Sequence, residues 1–586
     1  MRRVLRLVPY ALAVLVALGL AGCGVGSTDE PVDEGDPAVG GSTNLARQPP
    51  EPDEAGSFEE LVRYFLQASA GGSAQANERV KRYLTGLALA NWVGPPAEEP
   101  LSVVRLVGSP TPGVLVSGQG TPVTVTYELI GSLTDQGRVN EIAPLESRTL
   151  TFWVVTPEGE FNFRIGKIDG WPEGRLLLSY EGLLEYYDIE PIYFWDTEYR
   201  TLVPDLRYLP RTLSDVQKWS RRLTWLTAGP SPVLAPGVHA LPVGTSAEPV
   251  ETAEDGTLQV RLSAAAAALT AEPEAARRLL YQLQWSLVGD ADKSIQLYIE
   301  DQPVPVAVDP TAHRSFLHSW TYRRDPKRYN LTADGVVETI TPTTLAPELL
   351  APPPDGQVIT AAIRTEPALA AYVMEDQFGR YVLQLVTAGQ TRSVNLGLPG
   401  NAEPGRPSFV PGTDLLLIPT GGPEGRLISV STTTGAIADA SNRLLGVTDA
   451  VVSPDGRRVA VIADGEVHVA PLIVANNTVT VGSTPRQPLA GRLTATAVTW
   501  TSDSWLLVAG MRDGDQSTLW RVTADGVVAQ DLSRDLGVPP LNIFDLVAWP
   551  AWTGARAEVL AVTNLGVYRY STGFSPEPSL TAPFFG

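Results

Sequence analysis

Five similar strand-to-turn junctions recur through the C-terminal half of the chain, at Ile363 (AAIRTEP), Phe409 (SFVPGT), Val452 (VVSPDGR), Trp500 (TWTSDS) and Trp549 (AWPAW), at spacings of 46, 43, 48 and 49 residues. Each leads into an apolar strand (371–374, 415–418, 459–462, 506–508, 559–562) and then an alternating one (381–386, 427–430, 467–470, 519–522, 567–570). A period of about 45 residues with several strands per unit predicts β-propeller blades. A β-sandwich is the competing architecture, and sandwiches do not repeat at this length. Five blades are legible. A ring must also close, because an open blade edge templates aggregation. A sixth blade is expected from strands near 335–340 pairing with 576–585, so the propeller over 342–586 has five to six blades.

Upstream of the repeats the pattern changes. Ser57 and Glu60 spell a capping box, and Phe58, Leu61, Val62, Phe65 and Leu66 then share one helical face. A second helical stretch carries Val80, Tyr83, Leu84 and Leu87. After Pro95 and Pro96 the period falls to two, predicting strands over 103–107, 123–130, 150–156 and 161–168. Helices followed by a meander define an α+β domain over 57–181.

A second α+β unit spans 188–305. Strand 192–195 is followed by LVPDLRYLP (202–210), and a second capping box, Ser214 with Gln217, opens a helix burying Val216, Trp219, Leu223 and Leu226. Strands at 258–262 and 295–299 flank a helix with Leu279, Leu280, Leu283 and Leu287. This order, with YFWD, LVPDLRYLP, LTAGP, ALPVGT and QLYIEDQPV, resembles the GerMN domain. The resemblance implies an envelope binding or scaffolding module without established chemistry. Arg207 is expected as a salt-bridged surface arginine rather than part of a ligand face. The fold class is therefore multidomain and β-rich, with two α+β domains, the second GerMN-like, before the propeller.

The N-terminus reads as a targeting segment. Met1, Arg2, Arg3 and Arg6 precede an apolar run over 7–20, too short for the roughly 20 residues of a spanning helix. Leu20, Ala21, Gly22 and Cys23 then resemble the bacterial lipobox, which implies a signal peptide over 1–22 and a diacylglyceryl thioether on Cys23. Cys23 is the sole cysteine of 586 residues, so an intramolecular disulfide is excluded. Residues 23–56 lack apolar periodicity and carry eight acidic side chains from Asp29 to Glu54. They are expected to form an acidic tether.

Charge and motifs bound the chemistry. With 44 basic against 65 acidic residues, the net charge of −21 argues against a nucleic-acid partner and against broad adhesion to anionic lipid. The densest basic patch, Arg314, Arg323, Arg324, Lys327 and Arg328, falls in the 306–341 linker and reads mainly as solvated charge. His313 and His318 sit five apart, a poor metal spacing, and the doublets Asp290/Asp292 and Asp513/Asp515 lack further calcium ligands. No nucleophile elbow occurs, the nearest spelling being Gly573 to Glu577, and no H-E-x-x-H or Walker-type loop is present. An enzyme is not expected, nor is a metal or any cofactor beyond the lipid on Cys23.

The Ser453, Pro454, Asp455, Gly456 turn is similar to those of TolB-like and WD40-like blades, without the WD dipeptide. Lipobox, tether, α+β domain, GerMN-like unit and propeller, in that order, resemble the actinobacterial lipoprotein LpqB family over the whole chain. The resemblance implies anchoring on the extracytoplasmic face of the cell membrane. It also implies binding to the extracellular part of the sensor histidine kinase MtrB and modulation of MtrA two-component signalling, with effects on cell-envelope homeostasis. It carries over Cys23 as the lipidated position and no catalytic residue. Two alternatives stay open: an envelope scaffold that binds glycan or peptidoglycan, and a propeller-type carbohydrate-active enzyme.

Overall fold

The structure, a computed structural model, describes residues 48–586 except 97–98, 142–146, 290–292, 307–326, 352–355, 484, 513–514, 538–539, 551–556 and 572. The Ser57 hydroxyl accepts from the Glu60 N–H at 3.2 Å, and helix α1 (Phe58–Gln67) starts there. Its buried stripe, Leu61, Val62, Phe65 and Leu66, packs with α2 (Ser73–Arg82) and α3 (Gly86–Ala90) against a curved sheet. That sheet comprises β1 (Leu101–Leu106), β2 (Thr111–Pro112), β3 (Thr121–Leu133), β4 (Val139–Glu141), β5 (Ser147–Val155), β6 (Arg164–Asp169) and β7 (Leu177–Ser179), in the order β6-β5-β3-β1-β7. β2 and β4 add to β3. Phe65 centres the core, meeting Tyr83, Trp92, Phe152 and Trp171 edge to face. The strand expected from Phe161 begins only at Arg164. Phe161 stands in the preceding turn and is 97 % exposed, because the alternation of Phe161 and Phe163 mimics a strand where the chain is still turning.

Helix α4 (Tyr180–Tyr186), capped by Ser179, runs directly into β8 (Tyr187–Trp195), which pairs over nine residues with β9 (Leu202–Pro210). α5 (Asp215–Ala228) carries the reciprocal Ser214–Gln217 capping box and ends at Gly229. A small sheet follows: β10 (Glu251–Thr252), β11 (Leu258–Leu262), β12 (Ile295–Ile299) and β13 (Gln302–Pro303), with α6 (Pro273–Leu283) between β11 and β12. Leu223 and Leu226 enter this core as the helical period requires, while Val216 is 40 % exposed. Val216 lies in the first turn, where α5 has not yet reached the sheet.

Five four-stranded sheets follow: blade 1 within 357–395, blade 2 within 408–439, blade 3 within 447–481, blade 4 within 494–531 and blade 5 within 543–576. A three-stranded sixth blade closes the ring. Here β14 (Arg328–Leu331) pairs on one edge with β15 (Val337–Thr339) and on the other with the strand Ala582–Phe585. The sequence expectation that the strand near 335–340 itself pairs with the C-terminal segment is corrected: β14 takes that segment, and β15 lies on its other edge. That C-terminal strand lies innermost, against the inner strands of blades 5 and 1. The Arg328 guanidinium is 2.9 Å from Glu558 in blade 5, so this end of the basic patch is an ion pair of ring closure.

Candidate functional site

The β8–β9 hairpin organises the junction of all three modules. A two-stranded sheet alone is marginal in water, yet every residue of β9 except Pro210 is buried. Period two explains this. Val203 and Leu209 enter the GerMN-like core, with Asp205 and Arg207 on the same face. Leu206 faces the propeller among Ala460, Ile462, Trp500 and Val508, and Tyr208 packs by Trp505 and Val528. The remaining edge of β8 is closed by side chains: the Tyr193 N–H donates to Ser286 Oγ at 3.0 Å, and Gln282 Nε2 donates to the Tyr193 carbonyl at 2.9 Å.

Charged groups at this junction are paired. Arg207 is fully buried, not a surface residue as expected: its Nη1 lies 2.9 Å from Asp205 and its Nη2 donates to the Gly229 carbonyl at 3.3 Å. Asp205 also accepts from the Ser231 N–H at 2.6 Å. The Ser453-Pro454-Asp455-Gly456 turn closes with Gly456 N–H donating to the Ser453 carbonyl at 2.8 Å. The two arginines after it make the junction. Arg457 Nε donates to Asp196 Oδ2 at 2.8 Å, and Arg458 Nε donates to Asp455 Oδ2 at 3.0 Å while stacking over Trp500. A motif legible as a blade turn is thus also the docking plug for the GerMN-like unit. Tyr208 Oη donates to Asp525 at 3.0 Å, and burial pushes its pKa well above the ordinary tyrosine value.

The N-terminal domain completes the lock. Its β3–β4 turn reaches α5, where Trp225 Nε1 donates to the Asp135 carbonyl at 2.8 Å and the Tyr208 N–H donates to the Gly137 carbonyl at 2.7 Å. Tyr180 Oη exchanges hydrogen bonds with both backbone groups of Ala529 in blade 4. The cavity left between the modules, lined by Arg138, Asp205, Leu234, Arg458, Val469 and Asp525, holds about 60 Å³. Small-molecule sites usually need roughly 300–1,000 Å³. This junction therefore acts as a lock between modules.

The docked face of the propeller carries the turns joining first to second strands, as at Gly412, whose carbonyl accepts from Arg200, and at Arg457. The opposite face carries exposed apolar side chains among the described residues. Around its channel mouth stand Phe378 and Leu565 in second-to-third-strand turns, Val336 in the β14–β15 turn, Leu445 between blades 2 and 3, and Ile359 and Phe544 at the starts of inner strands. Their exposures run from 38 % for Ile359 to 71 % for Phe378. Inside the mouth, Arg406 from the start of blade 2 bridges to Asp545 of blade 5 at 2.5 Å, three blades away and so across the ring. Asp449 of blade 3 sits beside this pair. Burial, and then repulsion from Asp545, push its pKa up to about 6.

A separate groove of about 290 Å³ lies on the N-terminal domain between α3 and β6, walled by Leu87, Trp92, Val93, Ile168 and Trp171. Among the described residues no group of three or more His, Cys, Asp or Glu could hold a metal, and no helix is long and apolar enough to cross a membrane. Cys23 and its preceding Leu20, Ala21 and Gly22 lie outside the described residues, as do Arg314, Arg323, Arg324, His313, His318, Asp290, Asp292 and Asp513. Ser575 lies in the outer strand of blade 5, its hydroxyl bonded to the Arg569 carbonyl. Sequence reasoning missed the open-face ring. Its members sit in turns of different blades, and only the topology brings them to one side.

Comparison with known proteins agrees with this architecture. The Germane family model, described as sporulation and spore germination, matches residues 191–305, and the lipoprotein LpqB beta-propeller domain model matches 354–544. Lipoprotein LpqB of Cutibacterium acnes is 26 % identical, covering 94 % of this chain and 95 % of the relative. Lipoprotein LpqB of Mycobacterium tuberculosis is 28 % identical over 47 % of this chain and 46 % of its own length. Among solved structures, TolB from Acinetobacter baumannii aligns with a TM-score of 0.30 at 14 % identity, covering 44 % of this chain and 66 % of that one. Fold and matches define a chain in which a GerMN-type module is followed by a β-propeller. The chain resembles the LpqB lipoproteins over nearly its whole length and carries the beta-propeller domain described for them. Both of these relatives are named as lipoproteins.

Proposed function

We propose that this protein is an extracytoplasmic lipoprotein, lipidated at Cys23, that regulates an MtrB-like sensor histidine kinase by binding its extracellular domain through the open face of the propeller. The observation that carries this reading is the ring of exposed apolar side chains, Val336, Ile359, Phe378, Leu445, Phe544 and Leu565, on the face away from the GerMN-like unit. Exposed apolar side chains gathered on one face are suited to an interaction site, and aromatic side chains are frequent hot spots. The three-module lock supports it further, because it holds that face in a fixed orientation. A lipid anchor would confine both partners to one thin layer and raise their effective concentration without new contacts. Regulation then follows from binding one signalling state of the kinase more tightly than the other. In this reading the protein acts by contact, without catalysis and without a cofactor.

The test is co-purification of the full chain with the kinase ectodomain. Phe378→Glu with Leu565→Glu should weaken capture by about tenfold or more, as loss of a hot spot does, with unchanged thermal unfolding. Capture that persists at full strength in this variant overturns the assignment of the face. A second reading attaches to the Trp92–Trp171 groove, whose indole walls suit a sugar ring of the cell wall. Pull-down on purified cell wall, lost in Trp92→Ala, would favour that envelope-binding reading.

A further inference from the structure

The N-terminal sheet ends in an apolar tip that the function above does not use. Residues 108–120 (GSPTPGVLVSGQG) contain no charged side chain. Their backbone is folded into a small hairpin: the Gly113 N–H donates to the Pro122 carbonyl at 2.7 Å, and Val116 and Gly120 exchange hydrogen bonds at 2.9 and 3.0 Å. At its end Val114 and Leu115 are 86 % and 69 % exposed. Thr121, which follows this hairpin, pairs with Val154 near the end of β5, so the turn carrying Phe161 lies at the same end of the sheet. A hydrogen-bonded scaffold thus holds two aliphatic side chains and one aromatic ring out in water.

The course of the chain says what lies opposite. Asp53 is 2.8 Å from Arg164, three residues beyond Phe161, and the Phe58 ring lies 4.8 Å from that of Phe163. The first described residues therefore run past the root of this tip. Between Cys23 and Gln48 lie 24 residues, which span at most about 85 Å. An anchor at Cys23 makes this end the part of the described body joined most directly to the membrane.

We propose that Val114, Leu115 and Phe161 dip into the headgroup–acyl boundary of the bilayer and so set the orientation of the whole body on the membrane. This rests on the anchoring at Cys23. Apolar side chains gain by leaving water, and interfacial elements bury about 5–10 Å into that boundary. The hairpin is neutral, and Phe161 is preceded by Glu158 and Glu160, with no basic residue beside it. Insertion therefore requires no anionic lipid and is insensitive to salt.

The experiment places an environment-sensitive fluorophore at Leu115→Cys, at Phe161→Cys or, as control, at Val243→Cys, which is fully exposed on the GerMN-like unit. The lipidated full chain is reconstituted into phosphatidylcholine vesicles containing brominated lipid. In a second arm, the mature chain with Cys23→Ser is held on vesicles through an N-terminal His-tag and a nickel-chelating lipid. Labels at 115 and 161 should be quenched about twofold or more beyond the control in both arms, as interfacial burial requires, and equally at low and high salt. Quenching no greater than the control in the second arm overturns the proposal, as does protection of the labels by kinase ectodomain alone. Failure of the full chain to float with vesicles overturns the anchor reading instead, and the second arm still decides the tip.

Discussion

Arg457 Nε donates to Asp196 Oδ2 across 2.8 Å, joining residues 261 positions apart, and both side chains are at most 2 % exposed. Losing one member of a buried pair costs about 3–5 kcal/mol, because the other charge stays in a low-dielectric site. The two sides are unequal here. Asp196 also accepts the N–H groups of Arg200 and Thr201 at 2.6 and 3.2 Å, so its charge stays solvated by backbone donors when the arginine is removed. Asp196→Ala is expected to fall near the top of that range and Arg457→Met near the bottom. Urea denaturation followed by two probes, one in the GerMN-like unit and one in the propeller, should also show transitions that separate in Asp196→Ala and coincide in the parent.

Asp449 titrates against the fold. Its pKa stands near 6 in the folded chain, against an ordinary 3.8. The folded state therefore binds more protons than the unfolded one between those values, and stability declines as pH rises through that window. Asp449→Asn should raise Tm at pH 7–8 and leave it unchanged near pH 4. A scan of Tm against pH for the two proteins checks the sign. A benefit of the substitution confined to low pH would contradict the origin assigned to the shift.

Gly137 is needed twice. Its φ of +67° lies in the left-handed region, and a Cβ there would stand 2.5 Å from the Trp225 ring. Gly137→Ala is expected to cost more than the ~1 kcal/mol of an unfavourable φ alone, because Trp225 must also move off the Asp135 carbonyl. The readout is a lower urea midpoint than that of the parent chain.

Ser214 tests a local rule in isolation. Its hydroxyl accepts from the Gln217 N–H while Gln217 Oε1 accepts from the Ser214 N–H at 2.9 Å, at an exposed helix start. Ser214→Ala should cost about 1 kcal/mol, and Ser214→Asp close to nothing. Equilibrium unfolding distinguishes them.

What was legible in the sequence was local or periodic. The capping boxes at Ser57 and Ser214 specified helix starts because their partners lie three residues away, and the blades declared themselves by recurrence. Misreadings arose where local pattern and long-range packing diverge. Phe161 alternates with Phe163 and so imitates a strand, although the chain holds it in a turn. Arg207 was expected at the surface because charge usually is, and only a strand buried on both faces gives it Asp205 and the Gly229 carbonyl. The Arg457–Asp196 pair and the open-face ring join segments hundreds of residues apart or in separate blades, and no window of sequence contains them.

Ring closure has a consequence for how such a chain matures. Thr581 and Asn330, whose N–H and side-chain carbonyl meet at 2.8 Å, are 251 residues apart, and the last blade is assembled from both ends of that span. As the chain folds from its N-terminal side, the propeller stays an open arc of blades until its final strand is in place. Throughout that interval the inner edge of β14, which Ala582–Phe585 later covers, is available to chaperones, to proteases or to a neighbouring copy. Quality control of this protein thus has one natural checkpoint, the arrival of Ala582–Phe585.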